Sequence, residues 1–88
     1  MSELSSKHAL VSGGGSGIGA EIARTLAHAG NRVTILGRRE ASLQKVAGTH
    51  ENIAWQTCDV TDPTSVQAAH SAATEASGTV SFCIATAG

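Results

Sequence analysis

The sequence predicts an α/β fold built on a doubly wound parallel sheet, with the chain running strand, helix, strand, helix, strand, helix, strand. Three observations lead there. Short apolar runs of strand length alternate with stretches whose apolar residues recur at helical spacing. A glycine cluster follows directly on the first of those runs. No internal repeat, low-complexity segment or linker interrupts the alternation. Right-handed crossovers between parallel strands then make the chain one wing of such a sheet.

The elements follow in order. Residues 8–12, His-Ala-Leu-Val-Ser, read as a short strand that ends in the glycine cluster. Ile18, Ile22, Leu26 and Ala29 then fall at helical spacing. Gly30-Asn31 is where this helix stops in a left-handed cap, and residues 32–36 form the next strand. Residues 41–47 give a short helix with Leu43, Val46 and Ala47 on one side, ended by Gly48. A third strand covers residues 53–58. Asp62-Pro63 is a helix cap followed by proline at the first helical position, and Val66, Ala69, Ala73 and Ala76 share one face up to Gly78. The fourth strand, residues 80–85, is mostly apolar without alternation, which suits a strand covered on both faces of a parallel sheet.

Composition bounds what such a chain can do. Hydrophobic residues make up 41% of the 88, but 15 of them are alanine, so the core is thin. Six basic residues against seven acidic ones give a net charge of −1, so no global field draws the chain to nucleic acid or to an anionic membrane. Cys58 and Cys83 have neither C-x-x-C nor histidine at ligand spacing, which leaves no metal or redox site and two reduced, buried thiols as the plain reading. His8, His28, His50 and His70 are scattered without ligand spacing and read as surface or core residues, and Trp55 reads as core. The start of the chain has no apolar targeting segment and no run long enough to span a bilayer, so a soluble, cytoplasmic protein is expected.

The chemistry is concentrated in Ser12-Gly13-Gly14-Gly15-Ser16-Gly17-Ile18-Gly19. Glycines between a strand and a helix let the chain turn sharply, let a pyrophosphate approach bare backbone and let the helix lie close to the sheet. The helix N-terminal amides would then hold phosphate oxygens. A P-loop is excluded, because no Gly-Lys-Ser/Thr follows to bring a lysine to terminal phosphates. This strand-loop-helix context indicates a Rossmann-type dinucleotide fingerprint.

Two glycine registers fit. Gly15-x-Gly17-x-x-Ala20 has the widespread dinucleotide form, whereas Gly13-x-x-x-Gly17-Ile18-Gly19 resembles the T-G-x-x-x-G-I-G signature of the short-chain dehydrogenase/reductase family, with Ser12 in place of threonine. Three further features match in order, so the resemblance covers the whole chain. Gly37-Arg38-Arg39 stands where that family's cofactor-selecting residues follow the second strand. Asp59-Val60 matches the pair after the third strand that contacts adenine, and Ala85-Thr86-Ala87-Gly88 stands where N-N-A-G is usual. Ala85 and Thr86 depart from the two asparagines, while Ala87 and Gly88 keep a small-residue floor beneath the ribose.

The resemblance implies the N-terminal dinucleotide-binding part of a single Rossmann-type domain over residues 1–88, with sheet order 3-2-1-4 and cofactor contacts from Gly13, Gly15, Ser16, Gly17, Ile18, Gly19, Arg38, Arg39, Asp59, Val60, Ala87 and Gly88. It also implies a homo-oligomeric oxidoreductase exchanging hydride between the cofactor and a carbonyl or alcohol. Charge selects the cofactor. With Gly37 where an acid would bind the ribose hydroxyls, and with two arginine forks matched to phosphate, NADP is expected over NAD. Ser16 tempers that expectation, since many NADP-using relatives have a basic residue there; Glu40 reads as a helix-start carboxylate that complements the dipole.

The family's proton-transfer tyrosine and lysine, four apart on a later helix, have no counterpart, because the chain contains no tyrosine and Lys7 and Lys45 lie upstream. No catalytic residue is therefore assigned, the catalytic part is expected to lie outside this sequence, and the 88 residues alone should be inactive and poorly folded or aggregated. The alternative is a stand-alone, non-catalytic dinucleotide-binding or interaction module.

Overall fold

A computed structural model describes residues 7–13, 17–59 and 61–85. Its elements are β1 (His8–Ser12), α1 (Gly17–His28), β2 (Arg32–Gly37), α2 (Glu40–Ala47), β3 (Ile53–Thr57), α3 (Pro63–Ser77) and β4 (Phe82–Ala85). The four strands form one parallel sheet in the order β3-β2-β1-β4. The predicted fold class and strand order are both observed.

Helices cover the two faces of the sheet unequally. On one face, Val11, Val33, Ile35 and Ile53 meet Ala20, Ala23 and Ala27 of α1 and Leu43 and Val46 of α2, with Trp55 and Ile84 packed at the margin. On the other, Leu10, Leu36 and Cys58 meet Ala69 and Ala73 of α3. Alternation along each strand produces this division, since successive side chains point to opposite faces.

The face that α1 buries differs from the one its large apolar residues suggest. Gly19, Ala20, Ala23 and Ala27 are buried, Ile22 and Leu26 are only partly covered, and Ile18 is 73% exposed. Small residues let the helix axis approach the sheet closely, so the alanine stripe rather than the isoleucine stripe faces inward. The predicted left-handed stop is present: Gly30 has φ +94°, and the Asn31 amide reaches back to the Leu26 carbonyl at 3.1 Å.

Two strand expectations change. β4 begins at Phe82 rather than at residue 80, and its burial alternates: Phe82 and Ile84 are half-buried, whereas Cys83 and Ala85 are exposed. The helix α3 packs over β2 and β3, so among the described residues nothing covers that face of β4. Cys58 is buried but Cys83 is not, which corrects the expectation of two buried thiols.

Both ends of α3 are anchored by side chains. Its start is capped by Asp62, whose carboxylate accepts the Thr64 amide at 3.0 Å, with Pro63 at the first helical position. Its end is held from the opposite edge of the sheet: Arg32 Nη1 donates to the Ser77 carbonyl at 2.8 Å, and His8 Nδ1 donates to the Gly78 carbonyl at 2.8 Å. A carbonyl can only accept, so Nδ1 bears the hydrogen and Nε2 is left to accept the Thr34 hydroxyl at 2.7 Å. His8 and Thr34 are 3% and 1% exposed, so the pair is a satisfied polar contact inside the core.

Thr34→Val keeps the side-chain shape and removes the hydroxyl, leaving a buried imidazole nitrogen without its donor. The loss should lower the unfolding free energy of the intact protein by about 1–3 kcal/mol in a urea titration, and an unchanged midpoint would contradict the assigned contact.

Candidate functional site

The parallel register sets the site. Ser12 pairs with Leu36 of β2 on one side and with Ala85 of β4 on the other, and Gly37 pairs with Thr57 of β3. All four strands therefore end along one edge. β1 lies between the strand that follows it and the last described strand, so the winding direction reverses at its carboxyl end. In open α/β sheets, ligands bind outside the carboxyl ends at such a reversal.

The chain leaving each strand stays close to β2. The Gly13 amide donates to the Leu36 carbonyl at 2.9 Å, and the Cys58 amide donates to the Gly37 carbonyl at 2.7 Å. Gly13 has φ +74° and Gly17 φ +57°, both in the left-handed region where a side chain is strained. Gly17 opens α1, whose first amides point along the axis without intrahelical acceptors. Gly19, within the first turn, is buried.

Where β2 and β3 end lies a shallow open groove of about 230 Å³ lined by Arg38, Thr57, Cys58, Asp59 and Ser65. Complete ligand pockets usually enclose ~300–1,000 Å³, so the groove is smaller than such a pocket. Its charge is mixed, with the exposed Arg38 guanidinium close enough to act on Asp59. Thr61 donates from both its hydroxyl and its amide to Asp59 Oδ1 and holds the carboxyl below its usual range, with desolvation opposing it and the Arg38 guanidinium making the smallest contribution. Folding thus favours ionised Asp59. That contribution is present above the carboxyl's unfolded-state value and fades as pH falls through the lowered one.

The site residues expected from sequence divide as follows. Gly13, Gly17, Ile18, Gly19, Arg38 and Asp59 lie on the carboxyl edge or on the first turn of α1. Arg39 stands at the N-cap of α2, exposed and outside the groove lining, and Glu40 opens that helix as expected. Gly15, Ser16, Val60, Ala87 and Gly88 lie outside the described residues. Thr57, Cys58 and Ser65 join the groove without having been singled out. The Asp59-x-Thr61 pattern, a common side-chain turn, was the signal available for Thr61. Among the described residues there is no cluster of three or more metal-ligating side chains, and no helix is long and apolar enough to cross a membrane.

With this geometry in view, known proteins give a consistent answer. The family model described as short chain dehydrogenase matches residues 7–88. The chain belongs to this family. Among curated relatives, carbonyl reductase family member 4 of Danio rerio is 35% identical over 85 residues, covering 94% of this chain and 36% of its own length. Among solved structures, a 3-ketoacyl-(acyl-carrier-protein) reductase from Brucella melitensis complexed with NADH aligns with a TM-score of 0.87 at 33% identity, over 92% of this chain and 34% of that one. The F189W actinorhodin polyketide ketoreductase with NADPH aligns with a TM-score of 0.89 at 35% identity, over 100% of this chain and 35% of that one. Other curated oxidoreductases match over 24% of their length, so this short-chain dehydrogenase sequence spans from about a quarter to about a third of the relatives named here.

A Cβ built on Gly17 meets nothing within 4 Å, so the requirement for glycine there is one of backbone conformation and of approach from outside the chain. Gly17→Val should therefore cost the fold only the left-handed strain, about 1–2 kcal/mol, while abolishing dinucleotide binding by the intact protein. Calorimetry beside a thermal melt separates the two, and retained affinity would mean that the cluster is only a turn.

Proposed function

We propose that the chain forms the N-terminal dinucleotide-binding part of an NADP-dependent oxidoreductase that moves hydride between NADP(H) and a carbonyl or alcohol. The observation supporting this most strongly is that two features share one edge: the left-handed glycines Gly13 after β1 and Gly17 at the start of α1, and the groove lined by Arg38 and Asp59. A dinucleotide needs both, one for its pyrophosphate and one for its adenosine.

Each residue has a role of its own under this reading. Gly13 and Gly17 give the pyrophosphate bare backbone, and the first amides of α1 donate to its oxygens. Asp59 faces the adenine side, with Val60 beside it in sequence. Gly15, Ser16, Ile18, Gly19, Ala87 and Gly88 stand at sequence positions that match the family's cofactor-contacting motifs. The nicotinamide, when bound, supplies or takes the hydride. Proton transfer would fall to residues beyond these 88, because the chain has no tyrosine.

Cofactor choice turns on Arg38. Its solvated guanidinium sits one residue after β2 and borders the groove, where a planar fork can take a 2′-phosphate through two parallel hydrogen bonds. The relatives bind either form, one structure holding NADH and another NADPH, so the preference rests on this side chain and secondarily on Arg39. A cytoplasmic homo-oligomer acting on a small molecule, without nucleic acid or membrane as partner, accords with the near-neutral charge.

NADPH should bind the intact protein much more tightly than NADH, and Arg38→Asp should reverse the order by turning attraction into repulsion. Equal affinities for the two cofactors in calorimetry would overturn the assignment of Arg38.

A further inference from the structure

Gly37 ends β2, pairs with Thr57 of β3 and accepts the Cys58 amide on its carbonyl at 2.7 Å. Its backbone does not require glycine: among the described residues, positive φ occurs at Gly13, Gly17, Gly30 and Gly78 and not at Gly37. A neighbour keeps a side chain out instead. A Cβ built on Gly37 comes within 3.3 Å of Leu43 Cδ2 and 3.8 Å of both Leu43 Cδ1 and Cγ. The nearest of these is tighter than the optimal carbon separation of about 3.5–4.0 Å. Leu43 has little freedom to give way, because it is 1% exposed and packs from α2 into the core cluster that holds Val33 and Ile35 of β2. Extra atoms in a well-packed core force side chains off their rotamers and shift the backbone.

A carboxylate at the end of the second strand would accept the adenosine ribose hydroxyls of NAD and oppose a 2′-phosphate. We propose that Leu43, which does not line the groove, is a positioning residue for cofactor choice: by filling the space beside Gly37 it keeps such a carboxylate out and leaves the choice to Arg38. The inference rests on the dinucleotide reading above and adds to it the physical reason for glycine at this position. The cause lies inside the core, on the face of the sheet that α1 and α2 cover. An acid placed at residue 37 therefore gains NADH only when Leu43 is trimmed as well, whereas the side chain at residue 38 is exposed and meets no such barrier.

The test combines thermal melts with calorimetric titration of NADH and NADPH on the intact protein, for the wild type, Gly37→Ala, Gly37→Asp, Leu43→Val and the two double variants. Leu43→Val removes the crowding Cδ atoms and keeps most of the side-chain volume. Gly37→Ala should lower the melting midpoint in the wild-type background and leave it unchanged or raised in the Leu43→Val background. Gly37→Asp alone should leave NADH affinity within about twofold of the wild type, and its combination with Leu43→Val should bind NADH about tenfold more tightly, as for one hydrogen bond to a charged group. Leu43→Val alone should leave the ratio of the two affinities unchanged, which separates this role from a general loosening of the core. A Gly37→Ala midpoint at or above the wild type would overturn the exclusion, as would a full NADH gain in Gly37→Asp alone. A folded Gly37→Asp/Leu43→Val variant without that gain would overturn the link to cofactor choice and leave the dinucleotide reading intact. Failure of the wild type to bind either dinucleotide would overturn both.

Discussion

The close approach of α1 to the sheet is the constraint on which the rest of the structure depends. Gly19, Ala20, Ala23 and Ala27 present almost no side chain to Val11, Val33 and Ile35, so the helix lies low over β1 and β2. Gly13 after β1 and Gly17 at the start of α1 both take positive φ, a conformation that glycine adopts without strain. A larger residue at Ala20 or Ala23 would lift the helix and displace the loop that the proposed cofactor would use.

α3 gives the second half of the arrangement. Its far end is tied to the opposite edge of the sheet by His8 and Arg32, and its near end bears Asp62 and Ser65, which order the loop after β3. The helix behaves as a strut across one face of the sheet, linking buried polar contacts at one edge to the geometry of Asp59 at the other. Its small residues Ala69 and Ala73 again permit close packing, here on Leu10, Leu36 and Cys58. The face of β4 that α3 does not reach remains open at Cys83 and Ala85.

Strand-length apolar runs, helix stops at Gly30 and Gly78 and the Asp62-Pro63 start were legible because each rests on local backbone chemistry, and the observed elements agree with them within two residues. The inward face of α1 was not, since alanine and isoleucine stripes share one helical period and only the sheet chooses between them. The His8–Thr34 contact was also hidden, because it joins residues 26 apart and looks like ordinary strand composition in sequence. At the carboxyl edge, the glycine motif singled out Gly13 and Gly17, and the family resemblance singled out Arg38 and Asp59. Ser65 was missed because its role comes from α3 folding back over the end of β3.

The central claim is that one edge of the sheet, at the carboxyl ends of β1, β2 and β3, receives the adenosine half of a phosphorylated dinucleotide. Mapping amide chemical shifts of the ¹⁵N-labelled intact protein during titration with 2′,5′-ADP tests it directly. Perturbations should concentrate at Gly13, Gly17, Gly19, Arg38, Asp59 and Ser65, with Arg32, His50 and Gly78 at the opposite edge unaffected. Shifts centred on that opposite edge, or none at saturating ligand, would contradict it.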